Sequence, residues 1–161
     1  MWQRLFPGRL DNDYRGHPVA LWVFVPITLV TIVRSLIHIF VADGGAQSIA
    51  AIPLDAMTPN GAAAVVLIFA LWGLSQLLLG LLYVVVLWRY RALLPLMYVL
   101  LLVEYAGRLL LGAWKPILTL ETPPGGPGSF AFAAVAVAML WLSLRRRGDA
   151  LATPERAEAR S

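Results

Sequence analysis

Four long apolar runs, each separated from the next by a short polar or Pro/Gly-rich stretch, constrain this chain more than any other feature. They cover about Pro18 to Val41, Ala62 to Trp88, Ala92 to Trp114 and Gly128 to Leu144. A helix needs roughly 17–25 apolar residues to cross a hydrocarbon core, and each run reaches that length. A small β-barrel would instead alternate apolar and polar residues over segments of about ten. These runs are continuous in Leu, Val and Ala, so the expected fold is all-α, an integral membrane four-helix bundle. Composition points the same way: 60% of residues are hydrophobic and 14% charged, with a mean hydropathy of +0.75. A soluble domain is about a quarter charged. A water-soluble globule is excluded.

The cations give the orientation. Arg4, Arg9 and Arg15 precede the first run, Arg89 and Arg91 join the second to the third, and Arg145, Arg146, Arg147, Arg156 and Arg160 follow the fourth. Ten of the 13 cations therefore lie on one side, which the positive-inside rule makes cytoplasmic. The basic balance is topological, and no nucleic-acid partner is expected. The chain divides into a cytoplasmic interfacial segment (1–17), the four-helix transmembrane domain (18–144) and a basic, disordered cytoplasmic tail (145–161). In the first segment, Trp2, Leu5, Phe6 and Leu10 among arginines read as an interfacial anchor. The first run is too long for a cleaved signal, whose apolar region is about 7–15 residues, and it carries Arg34 and His38. It is a retained helix.

The connections differ in kind. Arg89-Tyr90-Arg91 is a tight turn, making the second and third spans an antiparallel hairpin. In the loop between Asp43-Gly44-Gly45 and Thr58-Pro59-Asn60-Gly61, Ser48 to Met57 suits a short interfacial or re-entrant piece. Thr122 to Gly128, rich in Pro and Gly, cannot continue a helix.

Polar residues inside the spans carry the functional information, because ionisable groups in a bilayer cost about 2.5–3.5 kcal/mol each on insertion scales and usually face the bundle interior. Thr28, Thr31, Arg34, Ser35 and His38 fall within about 120° of arc on the first span. Trp72, Gly73, Gln76, Gly80 and Tyr83 share one face of the second. Glu104, Arg108, Gly112 and Lys115 share one face of the third, with Tyr105 at its edge. At about 1.5 Å per residue, Arg34 and Arg108 both lie roughly 10 Å below the outer surface. Glu104 is one turn deeper, Gln76 near the midplane, and His38 one turn above Arg34. These groups are expected to meet in one cluster in the outer half of the bundle. A Glu104–Arg108 pair at i, i+4 would leave Arg34 as the excess positive charge beside His38. Gln76, Thr28, Thr31 and Ser35 also fit plain interhelical hydrogen bonding, and Gly73, Gly80 and the Ala131/Ala134/Ala138 face fit close packing. Trp114 and Lys115 are expected to anchor the outer interface.

The strings DGGAQSIAAIPLD, ALWGLSQLLLGLLYVVVLWRYR and LLLVEYAGRLLLGAWKPI resemble a widespread group of small, functionally uncharacterised bacterial four-helix membrane proteins that are loosely DoxX-like. The resemblance runs from about Pro18 to Leu144 and rests partly on Asp43, Gln76, Glu104, Arg108 and Lys115. It implies a multi-pass protein of the bacterial cytoplasmic (inner) membrane. Some DoxX-type proteins are linked to quinone-coupled sulfur oxidation, but no motif in this chain ties it to that reaction.

Without cysteine there are no disulfides, no thiol catalysis and no iron–sulfur cluster, and two histidines are too few for a dedicated metal cage. There is no phosphate loop, no H-E-x-x-H and no hydrolase triad context. No cofactor and no catalytic residue can be named. The expectation is a binding module for a lipophilic molecule with a polar or anionic head: a lipid, fatty acid or quinone. Its ligand-binding residues would be Arg34, His38, Gln76, Glu104, Arg108, Trp72 and Tyr105, with the tail passing among Trp72, Leu78 and Tyr105. The competing class is an intramembrane enzyme with His38 and Glu104 as an acid–base pair on a lipophilic substrate. An accessory subunit of a larger membrane complex and a proton-coupled oligomer are further readings. Membrane lipids, a second copy of the chain or a partner subunit are the neighbours these readings allow.

Overall fold

A computed structural model describes residues 2–145, which form a short helix α1 (Trp2–Leu5) and four long ones: α2 (Pro18–Phe40), α3 (Pro59–Arg89), α4 (Leu94–Trp114) and α5 (Gly125–Leu144). All four long helices are long and apolar enough to cross a membrane. Of the expected tail (145–161), everything from Arg146 onward lies outside the described residues.

Local chemistry sets the helix starts. His17 caps α2 by accepting the Val19 N–H, with Pro18 supplying a preset φ at the first position. Thr58 caps α3 by accepting the Gly61 N–H, again ahead of a proline. That cap starts α3 three residues before the expected Ala62. The Pro/Gly connection is also shorter than expected, without a side-chain cap: α5 begins at Gly125, and Pro127 falls in its first turn, where a missing N–H costs little.

Two tight helix pairs make the bundle. α2 packs closely on α3, α4 packs closely on α5, and α2 also touches α5, whereas α3 and α4 make few close backbone approaches although they are consecutive. Side-chain size explains the asymmetry. Gly73 and Gly80 face α2, and a Cβ at Gly73 would stand 2.7 Å from the His38 Cβ. On α5 the buried residues are small, Ser129, Ala136 and Ser143, and Ala136 joins the core with residues of α4. Between α3 and α4 stand large side chains instead.

Towards the end carrying the N-terminus, the core is aromatic. Phe24 meets Tyr83 and Tyr98 edge-on, with ring centroids 4.9 and 5.1 Å apart. The buried Tyr98 hydroxyl donates to the Ala20 carbonyl at 2.6 Å. Outward positions such as Trp22, Leu29, Leu67, Leu78, Leu110 and Val137 are apolar and exposed, the reverse of a soluble bundle. This is the surface of a multi-pass membrane protein.

Both ends are tied. Near the N-terminus, the His17 N–H donates to the Leu142 carbonyl and the Ala92 N–H to that of Asp11. Trp2, Phe6 and Leu10 of the anchor segment are exposed, and so are Trp22, Trp88 and Trp141 at the same end. At the opposite end, hereafter the loop end, residues 42–58 fold into successive turns with a 3₁₀ turn at Leu54–Ala56 and no longer helix. The Leu120 N–H donates to the Ala51 carbonyl, joining the two loops there.

Candidate functional site

The polar stripes of α2, α3 and α4 converge nearer the loop end than the N-terminal end. Arg34 on α2 reaches across to α3, donating through Nε (3.2 Å) and Nη2 (2.9 Å) to Gln76 Oε1, and to α4, donating through Nη1 to the Tyr105 hydroxyl at 3.2 Å. With its oxygen so engaged, the Gln76 amide turns its nitrogen to Glu104, donating to Oε1 at 2.5 Å. Arg108, one turn along α4, donates to that same oxygen. Arg34 Nη2 also lies 3.8 Å from it. One carboxylate thus stands between two guanidiniums, and their side chains keep 20–25% exposure.

Aromatic rings floor the cluster. The Trp72 centroid lies 4.5 Å from the Arg108 guanidinium carbon and 6.0 Å from that of Arg34. His38 stacks on Trp72 at 4.7 Å, and Phe69 sets its edge against both rings. Tyr105 lies within 5.7 Å of both guanidinium carbons and stacks on Phe132 of α5 at 4.7 Å. Such contacts favour a cation over the ring face.

No protein-family model, curated protein or solved structure matches this chain at a significant level.

All seven residues singled out in the sequence therefore occur in one connected group, but their bonding differs from the expected pairing. Glu104 is shared rather than held by Arg108 alone. Arg34, expected to be the excess cation, donates from all three of its nitrogens. Among the described residues, two buried donors have no partner: Arg108 Nε in the cluster, and the Tyr83 hydroxyl in the aromatic core beside Phe24. Leu78 points away, exposed on the far side of α3, so it lines no path with Trp72 and Tyr105. Thr28, Thr31 and Ser35 bond back to the carbonyls of Phe24, Ile27 and Thr31 on their own helix, a common resting state for helical hydroxyls. Lys115 ends α4 over Trp114 and takes no part in the cluster. Three contributors went unread: Phe69, Phe132 and the Gly44 carbonyl. Phe69 shares the face of Trp72 and Gln76 and was legible by spacing. Phe132 sits on an apolar helix with no preferred face, so nothing in the sequence marks it.

His38 is fixed from the loop. Its Nδ1 lies 2.7 Å from the Gly44 carbonyl. That carbonyl is held by a turn in which Asp43 accepts N–H bonds from Gly45 (2.9 Å), Gln47 (3.1 Å) and Ser48 (2.7 Å). Gly44 and Gly45 have φ of +61° and +76°, which glycine adopts without strain. Desolvation pushes the Asp43 carboxyl up, but the bonds from Ser48, Gly45 and Gln47 outweigh it and hold the group at about 2, below its ordinary 3.8. A depressed carboxyl stabilises the fold above its unfolded value and loses that contribution as pH falls through its folded one. The turn is thus expected to stay closed above about pH 4 and loosen between about 4 and 2. Asp43→Ala should cost about 1 kcal/mol locally, as loss of a carboxylate cap does. Amide exchange at Gly45, Gln47 and Ser48 is then expected to be roughly fivefold faster; unchanged exchange would show that the carboxylate does not hold the turn.

Elsewhere, a cavity of about 530 Å³ opens under the N-terminal segment, lined in part by Tyr14, Arg15, Pro95 and Ser143. Arg15 there is exposed and paired with Asp13 at 3.0 Å and Asp11 at 3.8 Å. Among the described residues, no three His, Asp or Glu side chains gather as metal ligands.

Proposed function

We propose that this is a multi-pass protein of a bacterial cytoplasmic membrane, with both termini inside, that binds a lipophilic molecule carrying a polar or anionic head. The head sits at Arg108 and Arg34 over Trp72. The observation that carries the reading is the excess of positive charge: two guanidiniums share one carboxylate, and the buried Arg108 Nε has no partner. An unmatched cation within a bilayer needs an anion or dipole to satisfy it. The loose approach of α3 to α4 supports lateral entry, since a chain can follow the helices while its head reaches the arginines. An acid–base enzyme is less well supported, because Glu104 accepts from Gln76 and Arg108 and is held close to a second cation, Arg34. That arrangement leaves the carboxylate oxygen occupied by partners within the bundle instead of free to meet a substrate.

The test is native mass spectrometry of protein extracted in mild detergents. A stoichiometric amphiphile is expected on the wild type, with at least about tenfold lower occupancy in Arg108→Gln, which leaves one guanidinium to one carboxylate. Equal occupancy, or no amphiphile in any of several detergents, overturns the reading. Co-purification with another polypeptide would favour the accessory-subunit role. Orientation is checked separately: a cysteine at Ser48 is expected to react with an impermeant thiol reagent on intact cells, and one at Gly8 only after lysis.

A further inference from the structure

Two buried side-chain atoms in the cluster lack hydrogen-bond partners, and they are of opposite kinds. Arg108 Nε is a donor. The other is His38 Nε2, on a side chain only 4% exposed. Its character follows from the ring's other nitrogen. A carbonyl oxygen can only accept, so Nδ1, 2.7 Å from the Gly44 oxygen, carries the proton. The cluster's single carboxylate is already shared by two guanidiniums, which leaves nothing to balance an imidazolium. In the neutral ring Nε2 is therefore a bare acceptor. Both orphan atoms belong to groups packed on Trp72, with the ring centroid of His38 at 4.7 Å and the guanidinium carbon of Arg108 at 4.5 Å from that of Trp72.

We propose that the site selects heads that combine a negative charge with a hydroxyl: an ionised oxygen accepts from Arg108 Nε, and an O–H a few atoms away donates to His38 Nε2. This rests on the binding role proposed above and narrows its ligand class. An ionised plain fatty acid answers the donor but leaves the acceptor unmet. A quinone carries no O–H and does the same. A hydroxylated fatty acid and the glycerol head of an anionic phospholipid answer both. A buried polar atom left unpaired in the complex is costly, and sites built to bond a hydroxyl discriminate strongly against analogues that lack it. The Asp43 turn becomes a positioning element here, because through Gly44 it dictates which nitrogen of His38 is bare.

Two pairs of probes test the idea at constant charge: 2-hydroxypalmitate against palmitate, and phosphatidylglycerol against phosphatidylmethanol. The hydroxylated member of at least one pair is expected to bind the delipidated wild type about tenfold tighter or more. The pair that discriminates identifies the source of the head. In His38→Phe, which keeps an aromatic ring against Trp72, the difference within that pair should vanish while both members still bind. Because that variant also loses the Gly44 bond, ¹⁵N NMR of His38 in the wild type provides a second readout. Nε2 should be unprotonated in the free protein and shift on addition of the hydroxylated probe only. Equal binding within both pairs, or a ring protonated on both nitrogens, overturns this inference and leaves the binding role standing. Failure of all four probes to bind overturns both.

Discussion

Glu104→Leu is expected to destabilise the bundle by about 3 kcal/mol, the low end of the roughly 3–5 kcal/mol seen when one partner of a buried ion pair is removed. Glu104 Oε1 accepts from Gln76 and Arg108 and lies 3.8 Å from Arg34 Nη2. Without it, two guanidiniums remain beside Trp72 and Tyr105 with no counter-charge, and the Gln76 amide loses its acceptor. Partial exposure of the three charged side chains, 20–25%, lets them relax toward solvent or head groups and keeps the loss at the low end. The informative comparison is an all-apolar cluster: Arg34→Met, Gln76→Met, Glu104→Leu and Arg108→Met together. Replacing a whole buried ionic group by apolar residues is often neutral or stabilising, so this variant should unfold at or above the wild-type midpoint in detergent or bicelles. It should also retain no anionic amphiphile. Those two results together would separate what the cluster does for the fold from what it does for a ligand. A wild-type midpoint for Glu104→Leu alone would show that the carboxylate does not hold the arginines in place.

The architecture was legible because lipid leaves a chain few choices: long continuous apolar runs must close their backbone hydrogen bonds as helices. The meeting of Arg34, Gln76, Glu104 and Arg108 was legible for a related reason. Ionisable residues on apolar helices turn inward, and helical rise converts sequence position into depth. The bonding inside the cluster was not legible. Local spacing paired Glu104 with Arg108 and left Arg34 in excess. Gln76 and Tyr105, arriving from α3 and α4, instead engage Arg34 and leave the unpartnered donor on Arg108. Which residues come from other helices at bonding distance is a tertiary fact, invisible to i, i+4 rules. The loop failed in a similar way. Its apolar positions read as a re-entrant piece, while its conformation is set by three backbone N–H groups converging on Asp43 and by glycines at positive φ. Hydrophobic pattern carries no information about that.

The α2–α3 contact makes the last prediction, and the larger of two glycine effects. A Cβ at Gly73 would stand 2.7 Å from the His38 Cβ and 3.0 Å from the Ser35 carbonyl oxygen. Neither atom can swing away, because one is the first carbon of a stacked side chain and the other is backbone. The helices must separate. At Gly80 the nearest atom to an added Cβ is Ile32 Cγ1 at 2.9 Å and the nearest backbone atom is 3.7 Å away, so the contact is with a side chain and milder than at Gly73. Replacing glycine by alanine inside a helix gains about 1 kcal/mol of propensity, and overpacking costs typically 1–3 kcal/mol. Gly80→Ala is therefore expected to fall within about 1 kcal/mol of the wild type. Gly73→Ala should lose about 1–2 kcal/mol and Gly73→Val more, both measured by the unfolding midpoint. The Gly73 variants should also disturb the site, since moving α2 off α3 draws His38 away from Trp72. A change in Trp72 fluorescence in Gly73→Ala, absent in Gly80→Ala, is the expected signature, read in a background where the other tryptophans are phenylalanine. If Gly80 proves the more sensitive position, the close approach that seats His38 on Trp72 is not set at Gly73.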